Sequence, residues 1–394
     1  MSIHKSISIG GISPERIVKD FGSPLYAYDE DDIRTRCREL QESFPGMDLY
    51  YACKANTNPE IIKIIFGERF GVETVSPGEI SVAEKAGVPV RRMTFTCGSI
   101  DEQELVSIAR KRIRIHLDSL HQVEVFGRHF PGKEISVRLN QGIGAGHHAH
   151  VITGGPDSKF GIDVSHIARL KKLARKHRLR ITGLHQHIGS NILDASIFLK
   201  AMAALFSTAF HFPHLENLDF GGGFGVPYGP GERALNLGIL GKKVQAIASD
   251  FAERYGRPVA MSFEPGRYLV ARAGYLIVKV NDIKRNPEKT FVGVNSGFNH
   301  LIRPAMYGSY HEIVNATHPE RAREQATIAG NMCESGDVFA RDRRFPMPRL
   351  GDILVIKNAG AYGYTMSSDY NLRPRPREIL ISKRKARVIK SNFL

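Results

Sequence analysis

One lysine stands at the end of an apolar run and could act as a nucleophile. Lys54 follows Asp48–Cys53, which reads DLYYAC, and opens the segment KANTNP. A lysine amine is nucleophilic only when neutral, and desolvation or nearby positive charge favours the neutral form. The same local sequence is also compatible with a surface lysine that has no chemical role and whose aliphatic stem packs against apolar side chains. Lys54 is therefore a candidate that needs support from other motifs.

Two further motifs contain groups that could bind a phosphate and a ring nitrogen. Gly221, Gly222 and Gly223 follow the run LENLDF, and such a turn lets backbone N–H groups approach a phosphate. The turn has neither dinucleotide-binding spacing nor the Lys-Ser/Thr pair of a nucleotide loop. Glu264 opens EPGR, where it could pair with Arg267 or hold a protonated ring nitrogen. Together these groups supply what pyridoxal phosphate needs. The Lys54 amine could anchor it, the glycine turn could bind its phosphate, and the Glu264 carboxylate could activate its ring.

These residues fall at the ends of strands in a regular strand–helix series. Eight β-rich runs alternate with helical patterns. The runs are Asp48–Cys53, Gly71–Val75, Arg92–Thr96, Ile113–Leu117, Glu134–Leu139, Arg180–His187, Leu215–Phe220 and Pro258–Phe263. Eight repeats over about 220 residues predict a closed (β/α)8 barrel rather than an open doubly wound sheet. In such a barrel the strand ends that carry Lys54, His187 and Glu264 meet at one rim, which is where active sites lie.

The pattern changes after the eighth run. From about Gly274 onward, GYLIVKVNDIKR, KTFVGVN, QATIAGN, GDILVIKNAG and REILI indicate strands joined by Gly, Pro and Asn turns. The early segment Pro24–Tyr28, PLYAY, is also strand-like and could join them. We therefore predict an α/β protein in which a barrel over residues 30–272 is inserted into a β-rich, barrel- or sandwich-like domain formed by residues 1–29 and 273–394.

The second domain also contains polar groups that could do chemistry. MCESGD puts the Cys333 thiol beside Glu334 in a turn-like setting, where the thiol is either a buried small residue or an acid that returns a proton to a carbanion. Arg303 in LIRPAMYGSYH and Tyr362 in GAYGYTMSSDYN lie in apolar, glycine-rich surroundings. These two are candidate anchors for a carboxylate or phosphate.

The histidines do not form a metal-binding pattern. His185 and His187 alternate along one strand, and His147–His148 lie in the predicted rim loop GIGAGHHAH. Neither pair has a third ligand at comparable spacing. An imidazole packed against a flat cofactor ring explains His187 better, and we predict no metal.

Composition narrows the partners and the compartment. The net charge of +15 is mostly dispersed, which is typical of a solvated basic surface rather than of a nucleic-acid binder. The longest apolar runs are shorter than the ~18 residues of a membrane span, and the first residues lack a secretory h-region. The cysteines have no metal-like spacing, which indicates free thiols in the cytoplasm. They are Cys37, Cys53, Cys97 and Cys333.

Taken in order, the motifs resemble those of a known family. They are YACKAN, VSPGEI, TGGPDSKFGI, GLHQHIGS, DFGGGFG, EPGR, RPAMYGSYH, MCESGD and GAYGYTMSSDYN, and they span nearly the whole chain. The set resembles the fold-type III pyridoxal-phosphate decarboxylases, whose β domain is built from both chain ends. Eukaryotic ornithine decarboxylases share several of these motifs. The forms CESGD, SKFGI and MSSDYN are most similar to the diaminopimelate decarboxylase branch.

The resemblance implies a role for each matching residue. It implies that Lys54 holds the cofactor covalently, that His187 stacks on its ring and that Glu264 contacts the pyridine nitrogen. The implied phosphate site consists of Ser190, Gly221, Gly222 and Gly223. The implied substrate-binding residues are Arg267, Arg303, Tyr307, Glu334 and Tyr362, of which Arg267 and Tyr362 also contact the cofactor. Cys333 would donate the proton after carbon dioxide leaves, and Cys333 and Glu334 would come from the partner subunit of a homodimer with shared sites.

The implied reaction converts meso-diaminopimelate to L-lysine, but four positions depart from the common pattern. Glu73 stands where many relatives have Asp, Asn191 replaces Gln after HIGS, and Asn295 and His300 replace acidic residues. D-ornithine/D-lysine and siderophore-pathway decarboxylases share most of the motifs and are alternatives. A non-catalytic pyridoxal-phosphate carrier would retain the barrel and Lys54 without needing Cys333 and Glu334. A nucleic-acid-binding protein is indicated by net charge alone.

Overall fold

The computed structural model describes residues 7–146, 154–155 and 157–390. The chain divides into two compact units. The first, called the barrel unit, comprises Cys37–Val226 and Arg233–Tyr268. The other, called the β unit, extends to Arg36, resumes over Pro227–Glu232 and includes the described residues from Leu269 onward. The pair His147–His148 lies outside the described residues.

Eight parallel strands form the centre of the barrel unit. They are Asp48–Ala52, Gly71–Thr74, Met93–Phe95, Arg114–Leu117, Glu134–Asn140, Arg180–His185, Asn217–Asp219 and Ala260–Phe263. Each pairs with the next along the chain, and Ser262 of the last strand pairs with Asp48 of the first, which closes the sheet. The predicted closed barrel is confirmed. The two-residue strand Ile162–Asp163 pairs with the end of Glu134–Asn140, and Ala145–Gly146 and Gly189–Ser190 form a separate two-stranded sheet.

Helices connect the barrel strands. They are Pro59–Gly67, Pro77–Lys85, Glu102–Arg110, Leu120–His129, Ile167–Lys176, Ala195–Ala209 and Leu237–Tyr255. The local sequence explains where these helices begin, as Pro77–Lys85 shows. The Ser76 hydroxyl accepts from the Glu79 N–H at 3.2 Å, and the Glu79 carboxylate accepts from the Val75 N–H at 2.8 Å. A proline occupies the first turn of this helix. An additional helix, Glu30–Ser43, precedes the first strand and contains the boundary between the two units.

The β unit is built on one long strand. Gly274–Arg285 pairs antiparallel with Leu25–Asp29, with Ile353–Ile356 and, beyond a bulge, with Thr290–Val294. Leu25–Asp29 also pairs in parallel with Arg377–Ser382, so the N-terminal strand completes the sheet of the C-terminal segment as predicted.

The remaining elements surround this sheet. Its other strands are Ile313–Asn315, Arg323–Ala329, Val338–Pro346 and Lys385–Lys390, and the helices are Pro14–Phe21, Arg267–Val270 and Arg303–Tyr307. The buried core of the unit contains Ile9, Leu25, Ile277, Val355 and Ile379. None of the helices in the described residues is long and apolar enough to cross a membrane.

Candidate active site

Lys54 lies directly after the first barrel strand. It occupies the short 3-10 turn Cys53–Ala55, and its Nζ lies 2.8 Å from Oε2 of Glu73 at the end of the second strand. The Lys54 side chain is 36% exposed, whereas that of Glu73 is 1% exposed. The ion pair thus places a partly accessible amine at the strand ends. It also gives Glu73, a departure from the family pattern, a direct contact with the candidate nucleophile.

The glycine turn after the seventh strand packs against the next strand end. A Cβ on Gly222 would lie 2.2 Å from the carbonyl oxygen of Glu264, and one on Gly221 would lie 2.4 Å from that of Gln186. Gly221 and Gly223 have φ values of +69° and +109°, which favour glycine. The Gly222 N–H donates to Nδ1 of His187 at 3.0 Å, which makes this ring nitrogen an acceptor. The turn therefore needs glycine and fixes the His187 ring.

Glu264 ends the eighth strand inside the barrel. Its Oε2 lies 3.0 Å from Nε2 of His185, and both side chains are nearly fully buried. Burial raises the pKa of Glu264 to about 8, and the negative charge of Glu73 acts in the same direction. Burial lowers the pKa of His185 well below its usual range. Among the described residues, Oε1 of Glu264 has no partner in hydrogen-bond geometry.

Ser190 and Arg267 are neighbours in the barrel unit. The Arg267 guanidinium donates to the Ser190 hydroxyl at 2.9 Å, and Arg267 is buried. Beside them, the Asn191 side-chain oxygen accepts from the Val226 N–H at 2.9 Å, and Asn191 itself has a φ of +57°. Asn191 thus ties the Ser190 segment to the chain that follows the glycine turn.

One charged residue of this region was not identified from the sequence. Arg138 on the fifth strand is buried, lies 3.6 Å from Asp118 and has its guanidinium 4.7 Å from the Phe160 ring centre. Its charge acts on both Glu264 and His187. The signal for it was an arginine between Val137 and Leu139 in the predicted strand EISVRL.

In the β unit, Arg303 is fully buried. Its NH1 lies 3.1 Å from Nε2 of His311, and its guanidinium carbon lies 4.5 Å from the centre of the Tyr228 ring. Because arginine only donates, Nε2 of His311 must accept and Nδ1 must carry the hydrogen that it donates to the Lys357 carbonyl at 2.8 Å. Tyr307 ends the same short helix and is partly exposed.

Cys333 and Glu334 lie at the surface of the β unit. The buried Asp337 carboxylate accepts from the N–H groups of Met332 at 2.7 Å and Phe298 at 2.6 Å, which builds a rigid turn. Both Cys333 and Glu334 are exposed. The Glu334 carboxylate accepts from the Tyr370 hydroxyl at 2.7 Å, and the Cys333 N–H donates to Asn371 at 3.1 Å. The turn presents the thiol and carboxylate outward.

Tyr362 has an unusual backbone. Its φ is +56°, a left-handed conformation that is costly for a bulky side chain, and its side chain is partly exposed. Such conformations cluster at functional sites, because the surrounding structure must hold them. This observation is consistent with the binding role that the resemblance implies for Tyr362.

Comparison with known proteins identifies the family. Residues 30–271 match the family described as "Pyridoxal-dependent decarboxylase, pyridoxal binding domain". The chain is 42% identical to a diaminopimelate decarboxylase of Methanothermobacter thermautotrophicus, over 97% of this chain and 92% of that protein. An Escherichia coli K12 protein of the same name is 35% identical, over 95% and 92%. The chain belongs to the pyridoxal-dependent decarboxylase family.

A crystal structure of the M. jannaschii diaminopimelate decarboxylase in complex with L-lysine matches with a TM-score of 0.91 and 30% identity, covering 100% of this chain and 94% of that one.

The barrel rim of this decarboxylase fits the cofactor of its family, pyridoxal phosphate. The buried Oε1 of Glu264 is an acceptor without a partner in hydrogen-bond geometry, which suits a ring N–H. Lys54 offers a partly exposed amine and the glycine turn offers backbone groups without side chains. The donor set therefore fits a group with an aldehyde, a phosphate and a basic ring nitrogen.

One group of barrel residues has the types that bind metals. Ligand atoms of His116, Asp219 and Glu264 lie within 4.8 Å of one another, all buried. However, both oxygens of Asp219 already accept hydrogen bonds, from the Gly221 N–H at 2.8 Å and the Ser262 hydroxyl at 2.6 Å. Burial and the charge of Glu264 raise the pKa of Asp219. These contacts account for the group as a polar network of the decarboxylase barrel.

Proposed function

We propose that this chain decarboxylates meso-diaminopimelate at its D centre and releases L-lysine and carbon dioxide. The observation that carries the proposal is the buried carboxylate of Glu264, one oxygen of which has no partner in hydrogen-bond geometry among the described residues. It lies in a barrel whose relatives at 42% and 35% identity are diaminopimelate decarboxylases. The M. jannaschii relative bound to L-lysine, the product of this reaction, also supports the substrate class.

The residues divide the work between holding the cofactor and moving a proton. Pyridoxal phosphate, when bound, supplies an electron sink for the pair left on the α-carbon after carbon dioxide departs. Lys54 would anchor it, His187 would pack on its ring, and Glu264 would hold the ring nitrogen protonated. The phosphate would be held by Ser190, Gly221, Gly222 and Gly223.

The substrate-binding roles that we propose are those implied by the family resemblance. Arg303, Tyr307 and Tyr362 would contact the substrate together with Arg267, which would also contact the cofactor, as would Tyr362. The Cys333 thiol would give its proton to the α-carbon and recover one from solvent, so that the reaction consumes one proton for each carbon dioxide released. Glu334 would bind the distal ammonium group of the substrate.

A substrate panel tests this function. The holoenzyme is incubated with meso-diaminopimelate, with the LL isomer, and with D-ornithine and D-lysine, while carbon dioxide and amine products are measured. We expect turnover of the meso isomer alone, with L-lysine as the product. Turnover of D-ornithine or D-lysine without turnover of meso-diaminopimelate would overturn the substrate assignment.

We also propose that two copies share their active sites. The support is the exposure of Cys333 and Glu334 on the single chain, next to the exposed apolar residues Tyr370 and Leu372. If Cys333 and Glu334 act at the site of the partner, a mixture of inactive Lys54→Ala and Cys333→Ala chains should form hybrid dimers with one intact site. Such a mixture should regain about a quarter of the wild-type activity after exchange of subunits. Absence of any recovery, with exchange demonstrated, would refute the shared site.

The compartment that we propose is the cytoplasm. The chain has four free cysteines, two of them buried, which is typical of proteins in a reducing environment.

A further inference from the structure

A stack of two buried imidazoles lies behind the carboxylate that faces the ring nitrogen. Nε2 of His185 contacts Oε2 of Glu264 at 3.0 Å. The His116 ring stacks on the His185 ring with centres 4.5 Å apart and planes inclined by 28°, and Nδ1 of His116 lies 2.7 Å from the Ser136 hydroxyl. Both histidines are buried to about the same extent as the barrel core. Neither has a role in the function proposed above.

The proton on His185 can be located from its surroundings. Burial and the positive charges of Arg138 and Lys54 lower the pKa of His185, so that the imidazole is neutral and carries one N–H. Its Nδ1 has no partner in hydrogen-bond geometry among the described residues, whereas Nε2 faces the carboxylate. When Glu264 is ionised, the hydrogen must therefore lie on Nε2 and point at Oε2.

This hydrogen bond has a consequence for the opposite oxygen of Glu264. With Oε2 occupied by His185, the carboxylate plane is fixed and Oε1 remains as the acceptor for another group. Hydrogen bonds to an ionised group are among the stronger ones, and they favour the charged form of a buried acid. The other groups that act on Glu264 are the charges of Glu73, Lys54 and Arg138 and the Thr94 hydroxyl. A ligand atom of buried Asp219 also lies within 4.8 Å of one of Glu264, and burial and the negative charge of Glu264 raise the pKa of Asp219.

We propose that His185 is a positioning residue that donates its Nε2 hydrogen to Oε2 of Glu264 and so keeps the cofactor's ring proton on nitrogen. The inference rests on the cofactor site of the proposed function. Without this donor the buried carboxylate would be less stable than the neutral acid, and the shared proton would move from the ring nitrogen to Oε1. His116, held by Ser136, stacks on the face of His185 and makes no hydrogen bond to Glu264.

Three variants separate hydrogen bonding from packing. His185→Phe keeps a flat ring against His116 but has no donor. His185→Asn is smaller and places its amide near the Nδ1 position, so it also lacks a donor toward Glu264. His185→Gln can place an amide N–H near the Nε2 position and should restore the bond. His116→Phe is the matched control, because it alters the same stack without removing the hydrogen bond to Glu264.

The decisive measurement is the 15N resonance of holoenzyme loaded with pyridoxal phosphate labelled at the ring nitrogen. We expect the signal of a protonated ring in the wild type, His185→Gln and His116→Phe, and a shift toward the unprotonated position in His185→Phe and His185→Asn. The two donor-less variants should also lose about 10- to 100-fold in kcat with little change in KM. Titration of each apoprotein with the cofactor and its thermal unfolding establish that the variants are folded and loaded.

The outcomes are distinct. A wild-type 15N signal in any folded donor-less variant overturns the role of His185, and so does a shift of equal size in His116→Phe. The measurement uses no substrate, so a wrong substrate assignment leaves it unaffected. Failure of the wild-type protein to bind the cofactor would instead overturn the proposed function.

Discussion

At the residue scale, Glu264 is a group whose charge depends strongly on the protein around it. It ionises near pH 4.5 when exposed, but burial raises its pKa to about 8 in the folded chain. Between these values the folded chain keeps the proton that the unfolded chain has lost. The contribution of Glu264 to folding stability therefore falls as pH rises from about 4.5 to about 8, and this loss levels off above the folded pKa.

Replacement of this acid should remove that pH dependence. In Glu264→Gln the side chain is neutral at every pH, so the apoprotein should lose less stability than the wild type between pH 5 and pH 8. The difference between the two proteins in the midpoint of thermal unfolding should grow across that range. Buried His300, whose pKa is lowered to about 4, destabilises both proteins equally at low pH and cancels in the comparison. Parallel curves would contradict the raised pKa.

A second residue-scale prediction concerns the support of Arg303. His311→Phe removes one acceptor of a fully buried guanidinium, which also donates to the Ser309 hydroxyl, and it removes a donor to the Lys357 carbonyl. Loss of one partner of a buried charged group costs about 1–3 kcal/mol. If Arg303 binds the substrate carboxylate, KM should rise about tenfold or more while cofactor affinity stays constant. His311→Gln, which can still present an oxygen to Arg303, should be milder, and equal KM values in both variants would contradict the argument.

At the element scale, the glycine turn is the part of the site that tolerates least change. It packs the end of the seventh strand against the carbonyl of Glu264 at the end of the eighth, so any side chain at Gly222 displaces backbone rather than a flexible group. The turn also orients His187 through the Gly222 N–H. One position thus contacts both His187 and the backbone of Glu264.

Gly222→Ala should therefore damage stability and cofactor binding together. The added Cβ would lie 2.2 Å from a backbone oxygen, and overpacking of this kind costs about 1–3 kcal/mol. Gly67→Ala is the matched control, because the space around Gly67, the last residue of Pro59–Gly67, is open. We expect cofactor affinity to fall at least about tenfold in Gly222→Ala alone, measured by titration of the apoprotein. Equal affinities would show that the turn can relax.

The elements themselves were largely predictable, whereas their side-chain contacts were not. Strands such as Arg180–His185 and Ala260–Phe263 are apolar runs bounded by turn residues, a local signal that survives folding. The helix Glu30–Ser43 was not predicted from the sequence, because most of its residues are polar or charged and few of its side chains are buried. The buried ones include Ile33, Cys37 and Leu40. The contact between His185 and Glu264 joins residues 79 apart and depends on barrel register, which local patterns do not encode.

At the scale of the whole molecule, the candidate residues are divided between the two units. Apart from Tyr362, the cofactor candidates are in the barrel unit, whereas the candidate proton donor Cys333 and most substrate-binding candidates are in the β unit. The predicted sharing of sites requires that the surface around Cys333 be covered by another copy. That surface contains Leu372, which is 83% exposed and has a φ of +53°. A strained, exposed leucine is difficult to explain by the fold of one chain alone, because neither burial nor backbone preference favours it.

Leu372→Glu should therefore weaken self-association without unfolding the chain. An exposed side chain contributes within about 0.5 kcal/mol to stability, so the thermal midpoint should hardly change. If Leu372 is buried between copies, a charge there should raise the dimer dissociation constant at least about tenfold, measured by sedimentation equilibrium. Activity should then fall at low protein concentration and recover at high concentration, because Cys333 would reach its site only in the dimer.

Leu350→Glu, at another exposed leucine of the β unit, is the matched control. Equal association of the two variants would remove Leu372 from the interface.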